Sequence, residues 1–273
     1  MKKTVTLLVL FVVFGAAYGQ TGLHIGFHGQ YNSIWIQNQN NYNFSEMDYE
    51  YKYGALGGFA VGYNFHNNFG VQAEINYAQL GQTYEDILRD FSTLYDQENQ
   101  NLIIKILTTR DVSLNYAQVP IMFKYIQGEK KDAIKYHMMA GVQVGILMSA
   151  DQVYMADVDT SGNLVLIPSS VAPQSGVPDF AGQSSVAMED FFQRFDAGAI
   201  IDIGVDIYLN DKTYITPAFR GYYGFLDINS KPTRGIQIAQ TGNPYKHSHN
   251  AFAGLSLGIH WLFPDVVIGG PKE

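Results

Sequence analysis

From Phe191 to Leu209 apolar and polar positions alternate. Phe191, Phe195, Ala197, Ala199, Ile201, Ile203, Val205, Ile207 and Leu209 fall on one face; Arg194, Asp196, Asp202 and Asp206 fall on the other. A period of two over this length reads as a single long strand with an apolar and a polar side. Ordinary strands run about 5–6 residues, whereas a strand tilted across a membrane needs about 9–11. Similar alternation occupies Leu23–Ile36, Tyr53–Phe65, the stretch from Val71 to Tyr77, Val112–Ile126, Tyr136–Ile146, Ile215–Tyr223 and Leu255–Phe263. The pattern predicts an all-β fold: an eight-stranded antiparallel transmembrane barrel in up-and-down order, an even number as such barrels require.

The connections alternate in length. Those after the second, fourth and sixth strands are tight, among them Gly128–Asp132 and Asn210–Lys212, whereas Gln37–Lys52, Thr83–Asp111, Met155–Asp190 and Asn229–Asn250 are long. Short turns facing the periplasm and long loops facing the exterior would leave both termini periplasmic. A soluble barrel of the lipocalin kind would carry its charges outward. Here Glu74, Lys124, Arg194, Asp196, Asp202, Asp206 and Arg220 share the polar face, opposite a face almost free of ionisable groups. That places them in a narrow lumen, where charges must pair, and Arg220 is expected to meet one or more of Glu74, Asp202 and Asp206. A lumen so filled is plugged. Pro120 and Pro217 fall inside strands, where proline removes a ladder donor, and are expected to mark local bulges.

Lys2 and Lys3, the apolar run Leu7–Phe14 and the small residues Ala16, Ala17 and Gly19 read as a secretory signal peptide over residues 1–19. The barrel would then occupy 20–263, followed by a short tail, 264–273. The chain has no Cys, which excludes a lipoprotein anchor and disulfides. Nineteen Tyr and 17 Phe suit interfacial girdles, making membrane lipid the first expected partner of a monomeric barrel. A formal charge of −8 argues against nucleic acid.

Within Leu114–Tyr125, the positions Tyr116, Val119, Pro120, Ile121, Lys124 and Tyr125 give a tyrosine, an aliphatic–proline–aliphatic step, a basic residue and an aromatic. This segment resembles a recurrent strand of the PorT-like outer-membrane barrel family. Glu74, Tyr77 and Gly81, and later Asp196, Gly198 and Gly204, are similar to further strands of that family. The resemblance implies an outer-membrane location. Since a name-giving member serves type IX protein secretion, it also implies a role as a structural or assembly partner in envelope transport.

No nucleophile with an attendant base stands out, so the chain reads as non-enzymatic, with neither cofactor nor metal. Asp157–Gly162 imitates the opening of a calcium loop, yet the twelfth position is Pro168 instead of Glu. A hairpin turning at Thr160–Asn163 is favoured. His247 and His249 share a strand face but lack a further ligand nearby in sequence, and solvated loop histidines are favoured over a metal pair. The lumenal His24, His28, His137 and His260 are expected to pack beside Asp and Tyr. In Thr83–Asp111, the residues Tyr84, Ile87, Leu88, Phe91, Leu94 and Tyr95 are spaced as on an amphipathic helix. Leu102–Leu107, including Ile104, reads as a strand extension. Ile87, Leu88, Phe91, Leu102 and Ile104 form a candidate contact surface for another envelope protein. The alternative is a module that binds external ligands through its long loops.

Overall fold

The computed structural model describes residues 21–38, 47–88, 105–129, 132–159, 164–166, 184–187, 189–235 and 244–263. Eight long strands build the barrel: β1 (Gly22–Asn38), β3 (Lys52–His66), β4 (Phe69–Leu88), β5 (Lys105–Gln127), β6 (Ile134–Asp159), β9 (Phe195–Tyr208), β10 (Thr213–Gly224) and β11 (Ser248–Phe263). Each pairs antiparallel with its sequence neighbour among them, and β1 pairs with β11 from Leu23↔Phe263 to Asn38↔Ser248, closing the ring. Closure leaves no strand edge exposed to hydrocarbon, which offers no hydrogen-bond partner. The alternation expected from the sequence sorts inside from outside. Ile75, Leu255, Met138 and Ile203 are exposed, while their neighbours Glu74, Ser256, His137 and Asp202 are buried. Edge-to-face contacts of Phe27 with Phe59 and with Trp261 bind the outer aromatics across three adjoining strands.

Three strands run past the membrane. At about 3.4 Å per residue, the 26 residues of β6 extend roughly 85 Å along the chain, far beyond the 9–11 residues that crossing needs. β4, with 20 residues, and β5, with 23, accompany it. Their excess lies at the end away from the short turns and forms a projecting sheet. Both sides of that sheet are covered. β2 (Met47–Glu50) pairs with Thr83–Asp86 of β4, while β8 (Ser184–Ala187) and β7 (Leu164–Leu166) pair with successive stretches of β6. Covered edges are how sheets avoid adventitious strand addition.

Four sequence expectations are corrected. The helical spacing at Tyr84, Ile87 and Leu88 is overridden, because these residues continue β4 and pair with Arg110, Leu107 and Ile106 of β5. Ladder bonds extended from an existing hairpin need no new nucleus, unlike an isolated helix. The fourth and fifth predicted strands are longer than expected for the same reason. The sixth begins at Phe195 instead of Phe191: Glu189–Phe191 forms a short 3-10 helix, and Gln193 N donates to Ile228 O at 2.6 Å. Finally, neither proline makes a bulge. Around Pro120 the β4–β5 ladder passes from Ala73↔Ile121 to Asn76↔Gln118, and around Pro217 the β9–β10 ladder passes from Ile215↔Ile207 to Ala218↔Gly204, in unchanged register. Each ring directs its missing N–H toward one neighbour only. The irregularities lie instead at Asn64/His66 and Asn115/Tyr116.

Tight interstrand packing makes some glycines obligatory. A Cβ on Gly141 would overlap the Ile121 carbonyl oxygen and the Met122 Cα, both backbone, whereas Gly29 meets nothing within 4 Å. Gly141→Val is therefore expected to abolish the folded species that migrates differently before and after boiling. Gly29→Ala should retain it. Normal heat-modifiable migration of Gly141→Val would contradict the packing described.

Candidate functional site in the lumen and at its mouth

Inward positions of five strands converge on one chain of charges. Arg220 on β10 presents its fork to Glu74 on β4, with Nη1 2.7 Å from Oε2 and Nη2 2.9 Å from Oε1. Its Nε donates to Asp202 Oδ2 at 2.8 Å, a residue directly opposite in the β9–β10 ladder. Asp202 Oδ1 lies 2.9 Å from His137 Nε2, and His137 Nδ1 lies 3.1 Å from Asp206 Oδ1. Lys124 Nζ donates to Asp206 Oδ2 at 2.7 Å, and Thr216 adds a hydroxyl at 3.0 Å. Glu74 also accepts from Gln72 and Asn76 and lies 3.2 Å from His28 Nε2. Three carboxylates thus face two fixed cations. His137, held between two of the carboxylates, is the group placed to balance the third.

The charges occupy one layer of the lumen. Toward the short turns, Tyr214 stacks on His260 at 5.0 Å with His24 edge-on to both, and Lys124 lies 5.5 Å from the Tyr214 ring centre. Toward the long connections the interior turns apolar, with Ile34, Leu80, Leu114, Tyr116, Ile200 and Phe252 buried together. Beside the ion pairs, His28, Glu74, Lys124, Arg220 and His260 border a cavity of about 10 Å³, room for about one water. Among the described residues, side chains fill this column from charge layer to mouth.

The mouth carries a strap, residues 225–234, that sequence reasoning missed. Its Asp227 is buried and accepts from Ser248 N at 3.1 Å, with the Tyr245 hydroxyl 2.8 Å from both of its carboxylate oxygens; Arg234 Nε, which donates to Asn229 O, forms an ion pair with Asp227 at 2.8 Å. Burial pushes the Tyr245 hydroxyl up to about 12, so it stays a donor near neutral pH. Ile228 fills the apolar layer below, and Ser230 N donates to Phe191 O at 3.0 Å. No local signal marks these residues, whose partners, Arg234 apart, lie about 20 to 40 positions away in sequence.

The seven residues expected to form the lumen network separate. Glu74, Lys124, Asp202, Asp206 and Arg220 come together. Asp196 is buried elsewhere, accepting from Asn250 Nδ2 at 3.0 Å, and Asn250 also donates to the Tyr116 hydroxyl. Arg194 is exposed, because it precedes β9 and escapes the strand's alternation. Of the family-like strand, Tyr116 and Pro120 are buried, Lys124 is ion-paired and Tyr125 faces outward. Asp157–Asp159 pair with Leu164–Leu166, so the hairpin forms where expected, although the turn residues lie outside the described residues. In the candidate contact surface, Ile87 and Leu88 lie on β4. Phe91, Leu102 and Ile104 fall outside the described residues, as do Leu94 and Tyr95.

An antiparallel meander closed on itself, apolar outside and ion-paired inside, is the architecture of an integral outer-membrane β-barrel. The chain belongs to the outer membrane protein beta-barrel domain family, whose model matches residues 17–230. Membership implies the outer membrane of a Gram-negative cell. Among solved structures the chain is similar to the outer membrane protein OprG of Pseudomonas aeruginosa, with 11% identity, a TM-score of 0.38, and coverage of 89% of this chain and 96% of that one. It is also similar to Neisserial surface protein A, with 11% identity, a TM-score of 0.35, and coverage of 88% and 96%. The outer membrane protease OmpT of Escherichia coli is similar at 6% identity and a TM-score of 0.31, over 89% and 97%. No curated protein sequence matches the chain.

Removing the guanidinium leaves Glu74 and Asp202 buried without their main counter-ion, which costs about 3–5 kcal/mol. Arg220→Ala is accordingly expected to lower unfolding stability by about that amount in urea titrations of the lipid-reconstituted barrel. A change below about 1 kcal/mol would mean that the network is solvated like a surface pair.

Proposed function

We propose that this protein is a non-conducting outer-membrane barrel of the PorT-like kind, serving as a structural or assembly partner in envelope transport and protein secretion. The observation that carries the reading is the filled lumen joined to a sheet that projects beyond the membrane. Since ion pairs and apolar packing occupy the interior, the barrel acts by presenting surface instead of passing solute. With the projecting sheet covered on both sides, a partner meets side chains and loop ends instead of an open strand edge. The short turns and both termini lie in the periplasm and the projecting sheet lies outside, following the usual inequality of barrel connections. Catalysis has no role in this reading. The alternative is a surface module that binds an external ligand through the same loops, and the partner experiment separates the two.

The absence of cysteine allows single-site labelling. Tyr51→Cys, at a position 88% exposed beside the projecting sheet, should react with an impermeant maleimide on intact cells. Asp211→Cys, in the β9–β10 turn, should react only after the outer membrane is opened. The reverse pattern would invert the barrel. Mild-detergent affinity purification should recover an envelope protein with the wild type and lose it when residues 84–107 are removed, with heat-modifiable migration confirming that the shortened barrel folds. If no envelope protein co-purifies and secretion is intact in cells carrying the shortened barrel, the partner reading fails and the ligand-binding alternative takes its place.

A further inference from the structure

We infer that His247 and His249, at the mouth rim, form a two-imidazole site for a divalent transition-metal ion of the copper or zinc type. The pair stands where the chain enters β11. Residues two apart in extended chain share a face, and the two rings lie 6.1 Å apart between centres. Two imidazoles bound to one ion at about 2.0–2.1 Å would hold their ring centres roughly 5–6 Å apart, close to the spacing seen here.

The second observation concerns orientation. His249 Nδ1 lies 3.1 Å from the carbonyl oxygen of Leu226. A carbonyl only accepts, so Nδ1 carries the hydrogen and the lone pair of the neutral ring is left on Nε2. Metal-binding histidines are typically oriented in this way, with the other ring nitrogen donating to a backbone carbonyl or carboxylate. Leu226 is itself fixed, since the adjoining Asp227 accepts from Ser248 N at 3.1 Å. Tyr223 packs against the His249 ring at 5.6 Å and Tyr245 lies 6.2 Å from that of His247, limiting the freedom of both. The carbonyl that orients the ligand thus comes from the strap closing the lumen, a connection that the spacing of the two histidines does not reveal.

Imidazole donors select copper, nickel and zinc over magnesium and calcium, and copper is bound most tightly in the usual order. Among the described residues no group of three or more His, Cys, Asp or Glu is placed to hold a metal, so water or an external donor completes the coordination. The site can therefore link the barrel to a second metal-binding molecule, which is independent of any secretion role.

Untagged, refolded protein is titrated with Cu²⁺ and followed by calorimetry and electron paramagnetic resonance. One ion per chain should bind with two-nitrogen hyperfine structure. His247→Ala and His249→Ala should each weaken binding at least tenfold and leave a one-nitrogen signal, and the double variant should lose the site. A large excess of Zn²⁺ should compete with Cu²⁺ for the site, whereas the same excess of Mg²⁺ should not. Both side chains are at least partly exposed, and heat-modifiable migration checks that the variants fold. Undiminished binding in the double variant, displacement by Mg²⁺, or no binding by the wild type would each overturn the inference.

Discussion

A barrel of eight strands is too narrow to keep its lumenal charges in water, so each must be answered by another side chain. Most of these charges are joined in one relay running from Glu74 through Arg220, Asp202, His137 and Asp206 to Lys124, while Asp196 is held apart by Asn250. The relay's members come from β4, β10, β9, β6 and β5, and the Arg220–Glu74 link joins strands that stand four places apart in the ring of eight. A one-residue slip of any of these strands would turn its charge toward lipid. The same contacts that neutralise the interior therefore also fix the register of the wall.

The rest of the interior follows from that layer. Above that layer Ile34, Leu80, Leu114, Ile200 and Phe252 pack as a soluble core would, with the buried Asp196–Asn250–Tyr116 cluster among them. Ile228 lies at the top, and Asp227 holds its strap to the rim through Ser248 and Tyr245. A barrel so closed leaves its outward-projecting surfaces to meet other molecules, which is why the long β4–β6 sheet and the rim of β11 carry the functional proposals.

Much of the wall was legible in the sequence because period-two alternation is local and a barrel crossing a membrane keeps it along most of each strand. The inward placement of Glu74, Asp202, Asp206 and Arg220 follows from parity alone, and the need to pair buried charges then restricts Arg220 to a few acids. Parity does not say where a strand begins. Arg194 obeys the alternation but lies outside β9, since contacts with Ile228 and Ser230 draw the preceding residues away from the ladder. Tyr84, Ile87 and Leu88 show the opposite failure: their helical spacing was real but weaker than continuation of a hairpin already formed. The strap was illegible because Asp227 gains its role only from residues that folding brings beside it. For His249 the missing fact was equally non-local, a carbonyl on a different segment.

The central claim is that paired charges and apolar packing close the lumen, and it is tested most directly by single-channel recording of the folded protein in a planar bilayer. The account predicts no stable ohmic openings across a range of voltages in molar potassium chloride. A large, persistent, ion-filled conductance from protein of verified purity would contradict it and require an open pore.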